Sequence, residues 1–188
     1  LIGWVRQLPW TDPSVAAQLL AAILFMFGGI GGLTNASYNL NLVIHNTAWV
    51  PGHFHLTVAS AVTLSFIGIT YWMVPYLSGR RLWSPRAALV QAWTWFVGMI
   101  IFSNAMHVLG LLGAPRRTPL GEATYVPEAW NGNLLRVSIG GAILLVAVIL
   151  YGLVMIRTAF GPQVAPGQVP SVPIAESIRP PQLTPVWP

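Results

Sequence analysis

The stretch Ser14 to Thr34 reads SVAAQLLAAILFMFGGIGGLT and contains no charged residue. A bilayer core takes roughly 20 residues of helix to cross. The preceding Trp10-Thr11-Asp12-Pro13 has the composition of a helix start. Three more apolar runs follow, from about Gly52 to Leu77, Ala87 to Leu112 and Leu134 to Phe160. None alternates polar with apolar residues as the strands of a membrane barrel would. The expected fold is an all-α membrane protein of four transmembrane helices, with residues 1–160 forming one membrane domain. Gly52 to Leu77 is expected to be one continuous helix, its end frayed by Pro75, because a late proline loses a backbone bond.

Composition agrees. Of 188 residues, 55% are apolar and 7% charged, against about 25% charged in soluble domains. That excludes a soluble enzyme, a disordered chain and a nucleic-acid-binding domain. The net charge of +5 comes from nine arginines spread along the chain, with no lysine, so it marks no basic patch. Without cysteine there are no disulfides, thiolate zinc sites or cysteine-ligated iron–sulfur clusters.

The connections differ in character. Asn35 to Pro51 is polar, aromatic and helix-breaking, and is expected to cap one end of the bundle; Ser78 to Arg86 is short and basic. Leu112 to Asn133 carries Arg116, Arg117, Glu122 and Glu128. Residues 161–188 hold eight of the sixteen prolines and are expected to be a mobile cytoplasmic tail. Four spans place Arg6, Arg80, Arg81, Arg86, Arg157 and Arg179 on one side and Arg116, Arg117 and Arg136 on the other. The positive-inside rule makes the first side cytoplasmic, with both termini there. Trp10, Trp49, Trp72, Trp83, Trp93, Trp95 and Trp130 read as interfacial belt residues. No internal repeat is evident. The chain opens on Leu1 with no signal peptide, so the expectation is a processed protein or a piece of a longer one.

His53 and His55 are the strongest chemical signal, because an ionisable residue within a span is a functional hypothesis by default. Positions i and i+2 of an α-helix are separated by about 200° and rise about 3 Å. The two imidazoles therefore diverge at nearly equal depth. A single metal ion would want both on one face, whereas opposite faces suit two large planar cofactors such as haems, with Phe54 between the ligands. On spacing alone, two membrane histidines bonded to backbone carbonyls are an equal alternative.

The run His45-Asn46-Thr47-Ala48-Trp49-Val50-Pro51-Gly52-His53-Phe54-His55-Leu56 resembles the start of the tenth helix in subunit I of the haem–copper oxygen reductases, most closely the B family of ba-type cytochrome c oxidases. Met106-His107-Val108-Leu109-Gly110-Leu111-Leu112-Gly113-Ala114-Pro115-Arg116-Arg117 resembles the end of the eleventh helix and the following loop. With Asn35-Ala36-Ser37, the resemblance covers about Leu1 to Phe160. It implies helices nine to twelve of a twelve-helix core. It also implies that His53 is the axial and catalytic ligand of a high-spin haem, and His55 an axial ligand of a low-spin haem. Arg116, Arg117 and His45 would then meet haem propionates. Without the resemblance, an Arg pair at a membrane surface reads as snorkelling to lipid headgroups, and His45 as a structural cap. Asn46 stands where many relatives carry an Asp that helps hold magnesium, so that ion is not expected. Asn41 replaces an acid found in some B-family relatives. His107 reads as a helix-terminal histidine bonded to backbone or water.

The resemblance also implies a copper ion held by three histidines, a cross-linked Tyr and a second low-spin ligand, none of which the remaining His45 and His107 can supply. The expected function is therefore the C-terminal part of a terminal oxidase subunit, either a fragment or one piece of a split subunit. The complete enzyme would reduce dioxygen to water with electrons from cytochrome c and translocate protons. Its partners would be the remainder of subunit I, subunit II, cytochrome c and lipid of a prokaryotic plasma membrane. A nitric oxide reductase-like subunit is a second reading, which HFHL and LGLLGAPRR disfavour. A stand-alone four-helix haem-binding or structural protein is a third.

Overall fold

A computed structural model describes residues 7–117 and 126–165. Arg6, Glu122, Arg179 and most of the proline-rich tail lie outside the described residues.

Asp12 accepts a hydrogen bond from Val15 N at 2.9 Å and Pro13 takes the first helical position, so α1 runs Pro13–Ala36. A short α2, Tyr38–Ile44, precedes α3, Trp49–Leu56. A π-helical segment, Thr57–Val62, joins α3 to α4, Thr63–Ser78. Helix α5, Pro85–Leu111, repeats the Asp12-Pro13 device, with Ser84 Oγ accepting from Ala87 N at 3.2 Å. A 3₁₀ turn, Glu128–Trp130, leads into α6, Asn131–Ala159. Four segments are long and apolar enough to cross a membrane: Pro13–Ala36, Trp49–Ser78, Pro85–Leu111 and Glu128–Ala159. This is the all-α, four-helix architecture expected from composition.

The second span departs from expectation in two ways. It is not one regular helix, because Thr57–Val62 is wound wider. Hydroxyls there take up backbone carbonyls: Ser60 Oγ donates to His55 O, Thr57 Oγ1 to His53 O, and Thr63 Oγ1 to Val58 O. Two of these reach back five residues, the period of a π turn. Nor does Pro75 fray the end. Helix α4 runs past it to Ser78 and stops at Gly79, whose φ of 63° lets Arg80 N reach Pro75 O at 3.0 Å.

The core is one stripe per helix: Ala17, Leu20 and Leu24 of α1, Leu64, Ile67 and Tyr71 of α4, Ala92, Trp95 and Met99 of α5, and Val154 of α6. Trp95 and Trp130 are buried, so they are core rather than belt residues. Outward faces stay apolar, as with Phe25, Met26 and Ile30 of α1 and Leu145, Ile149 and Ile156 of α6. Lipid tails are as apolar as leucine, so close packing at small residues has to hold the helices together. Gly110 is such a point: a Cβ there would lie 2.6 Å from Trp49 Cα, so any side chain pushes α5 off α3. Gly110→Ala is expected to destabilise the protein by about 1–3 kcal/mol through overpacking. Gly152→Ala, with open space around its Cβ, is expected to be neutral or better. Thermal unfolding of the two variants should separate them, and equal melting temperatures would contradict the close contact.

The two ends of the bundle differ. Arg80, Arg81, Arg86 and Arg157 lie at one, where the Arg80 guanidinium donates to the carbonyls of Ala159 and Gly161 and closes the C-terminus of α6. Arg157 lies over the Trp83 ring, 5.5 Å from its centroid. The opposite end holds the histidines and the arginine pair.

Candidate cofactor site

Two chain segments are tied together at that second end. Ala48 N donates to Ala114 O and Arg116 N to Asn46 O, both at 2.8 Å, around a bridge between Thr47 and Pro115. This pairing sets His45 and Asn46 beside Arg116 and Arg117. Three left-handed residues shape the turns: Asn46 at φ 62°, Gly113 at φ 79° and Arg117 at φ 62°. Arginine in that region costs about 1–2 kcal/mol, so the surroundings must hold it. They do so through a second small core of Ala48, Leu109, Ala114 and Trp130, with Trp130 Nε1 donating to Leu112 O at 3.1 Å. His45 and Arg117 are exposed and Arg116 half-buried.

The two histidines of α3 meet different neighbours. His53 is half-buried, and its ring lies against α1: a Cβ at Gly31 would be 3.1 Å from His53 Nδ1, and one at Gly32 3.4 Å from Cε1. His53 Nδ1 is buried without a hydrogen-bond partner. The His55 ring instead stacks on Phe54, with centroids 4.7 Å apart, and tilts against Phe102 of α5 at 4.9 Å. His55 Nδ1 lies 2.6 Å from Pro51 O. A carbonyl can only accept, so Nδ1 carries the proton and Nε2 is the bare nitrogen. Ligating histidines take this form, the other ring nitrogen donating to a backbone carbonyl. The residues thus fit axial ligation: His55 is pre-set in the right tautomer, and His53 rests where two glycines leave room for its ring. Among the described residues, no three His, Asp or Glu side chains gather to hold a metal ion.

Sequence reasoning missed the glycines of α1, whereas His107 is bonded to backbone as the sequence predicts. Gly28, Gly31 and Gly32 lie inside α1, where each glycine costs about 1 kcal/mol relative to alanine; a helix that carries them needs close approach, here to Thr57 and His53. That cluster was the available signal. His107 bonds to backbone, Nδ1 lying 2.8 Å from Ser103 O, and it also packs edge-on against Trp49 with centroids 4.6 Å apart.

Comparisons with known proteins identify the family of the chain. A family profile described as Cytochrome C and Quinol oxidase polypeptide I matches residues 1–143. A cytochrome c oxidase subunit 1 of Thermus thermophilus is 42% identical over 179 residues, which cover 90% of this chain and 31% of that protein. A second Thermus thermophilus sequence of that name is 47% identical over 108 residues, covering 56% of this chain and all of that sequence. A cryo-EM structure of a heme-copper terminal oxidase dimer superposes with a TM-score of 0.76 at 38% identity, covering 81% of this chain and 28% of that one. The chain thus spans about a third of the length of the first of these relatives. It belongs to the cytochrome c and quinol oxidase polypeptide I family.

Proposed function

We propose that this chain supplies the last four core helices of subunit I in a B-family terminal oxidase, which reduces dioxygen to water with cytochrome c electrons and moves protons across a prokaryotic plasma membrane. The observation that carries the reading is the divergence of His53 and His55 onto different neighbours, with the His55 tautomer fixed by Pro51 O. His53 would hold the high-spin haem and His55 the low-spin haem. When bound, the haems supply electron transfer and the site of dioxygen reduction. Two ligands separated by one residue keep the electron path short, and Phe54 fills the space between them. His45, Arg116 and Arg117, brought together by the paired segments, hold propionates by charge-assisted hydrogen bonds. The copper ligands and the second low-spin ligand belong to helices from the remainder of subunit I; subunit II and cytochrome c complete the electron path. The positive-inside rule puts the Arg80 end in the cytoplasm.

Optical spectra of the assembled enzyme, reduced with and without carbon monoxide, test the reading. Two haem bands are expected, only one of them perturbed by the gas; a single unperturbed band would overturn it. Replacing Arg116 and Arg117 by Gln removes two positive charges that offset the propionates and so favour the reduced haem. At about 1 kcal/mol per partly exposed charge, the haem midpoint potential is expected to fall by about 40 mV per arginine. A redox titration checks this, and unchanged potentials would leave the arginines to lipid headgroups.

A further inference from the structure

We infer that the outward groove between α5 and α6 seats one anionic phospholipid, its phosphate between Arg86 and Arg157 and an acyl chain against Val90, Trp93 and Val97. This site is independent of the haem assignments.

The groove measures about 420 Å³ and is lined by Leu89, Val90, Trp93, Thr94 and Val97 of α5 and Ile143 of α6. Its only hydroxyl, Thr94 Oγ1, donates to Val90 O at 2.7 Å and is spent on its own helix. Trp93 and Phe102, which touches His55, are separated by two and a half turns and so lie on opposite sides of α5. The groove therefore faces away from the candidate cofactor site, and Val90, Trp93 and Val97 are exposed there. Arg86, Val90, Trp93 and Val97 fall within about 60° of one another round the helix and rise about 16 Å along it. That is one leaflet's share of a hydrocarbon core about 30 Å thick.

Both helices bring an arginine to the head of this groove. Helices α5 and α6 touch at Gly98, where a Cβ would lie 3.0 Å from Ile143 Cγ2. Ser84 and Arg157 are each fourteen positions from that contact, toward the same end of the bundle. Arg157 is therefore level with the start of α5, close above Arg86. Fourteen positions fall about 40° short of four full turns, so Arg157 lies on the flank of α6 that carries Ile143. Its guanidinium rests over the Trp83 ring, and Trp83 N donates to Thr158 Oγ1 at 3.1 Å, which holds the charge at the junction of the two helices. Both arginines are exposed. The only carboxylates among the described residues are Asp12, which caps α1, and Glu128, at the opposite end. Two unanswered positive charges above a wall of apolar side chains match a phosphodiester and its acyl chain. Guanidinium forks take phosphate oxygens in pairs, and basic pockets between membrane helices bind anionic headgroups.

The test is native mass spectrometry of the intact multisubunit oxidase, delipidated in detergent and titrated with phosphatidylglycerol or with phosphatidylcholine. Arg86→Gln combined with Arg157→Gln is expected to retain one phosphatidylglycerol fewer than the parent, with affinity at that site lowered about 30-fold. Phosphatidylcholine, whose ammonium opposes the arginines, is expected to bind parent and variant alike. Arg136→Gln removes a charge from the opposite end and is expected to retain the parental number; an equal loss there would reduce the effect to overall charge and overturn the inference. Val97→Trp fills the acyl half of the groove, leaves both arginines in place and is expected to lose the same lipid. Loss with the arginine pair but not with Val97→Trp would put the lipid outside the groove and overturn the inference, as would no loss in either. If the variants do not assemble, a high-resolution map of the unaltered oxidase decides. Phosphate-headed density between Arg86 and Arg157 supports the site. A protein segment in the groove, whether from the remainder of subunit I, from residues 166–188 or from a second copy, overturns it.

Discussion

His53→Ala, made in the assembled enzyme, is expected to abolish dioxygen reduction while electrons still enter through the His55 side. The ring it deletes lies on Gly31 and Gly32, so alanine leaves a gap that the backbone of α1 cannot fill with a ligand. Nothing nearby substitutes. His107, whose Nε2 would lie 3.4 Å from a Cβ at Gly31, has its Nδ1 tied to Ser103 and is held edge-on by Trp49. Changing only an outer-shell partner of a metal ligand typically costs 10–100-fold; losing the ligand itself should reduce oxygen uptake by roughly 100-fold or more. Oxygen-electrode rates with reduced cytochrome c, together with the carbon monoxide difference spectrum, measure both halves of the expectation. Turnover within about tenfold of the parent would mean that another residue holds that iron.

His55→Ala is expected to produce the complementary pattern. The low-spin band should vanish or become five-coordinate and electron entry should slow by roughly 100-fold or more, while the carbon monoxide signal on the His53 side persists. The pocket that remains is lined by Phe54 and Phe102 and keeps the Pro51 carbonyl as an acceptor. Added imidazole fits those partners, so it should restore part of the low-spin spectrum in this variant and none of the activity in His53→Ala. If both substitutions erased the same band and spared the other, the assignment of one haem per histidine would be wrong.

Much of this was readable beforehand, because the governing physics is local. Span number follows from charge-free length, and the start of α1 was marked by Asp12-Pro13, which satisfies early N–H groups wherever it occurs, whereas the same device at Ser84-Pro85 starts α5 two residues before the expected Ala87. The divergence of His53 and His55 is a consequence of helical rotation and needs no tertiary knowledge. What stayed hidden depends on neighbours far along the chain. The tautomers of His55 and His107 depend on which carbonyl lies within reach. The burial of Trp95 and Trp130 depends on which flank of each helix meets another, and an apolar helix shows the same composition on every side. The pairing of residues 46–48 with 114–116 joins segments separated by two spans, and no periodicity announces it.

The wide-wound Thr57–Val62 segment has a bearing on how this helix can vary. One extra residue in a turn advances everything beyond it by about 100° around the axis. The half that carries His53 and His55, Trp49–Leu56, and the packing half, Thr63–Ser78, are therefore set out of phase, like two keys cut on one shaft at a fixed angle. Leu64, Ile67 and Tyr71 can be seated against α1 and α5 independently of where the imidazoles aim. Deleting a single residue between 57 and 62 would close that angle. It would leave the side chains on either side intact, yet the histidines and the core could no longer both face their partners.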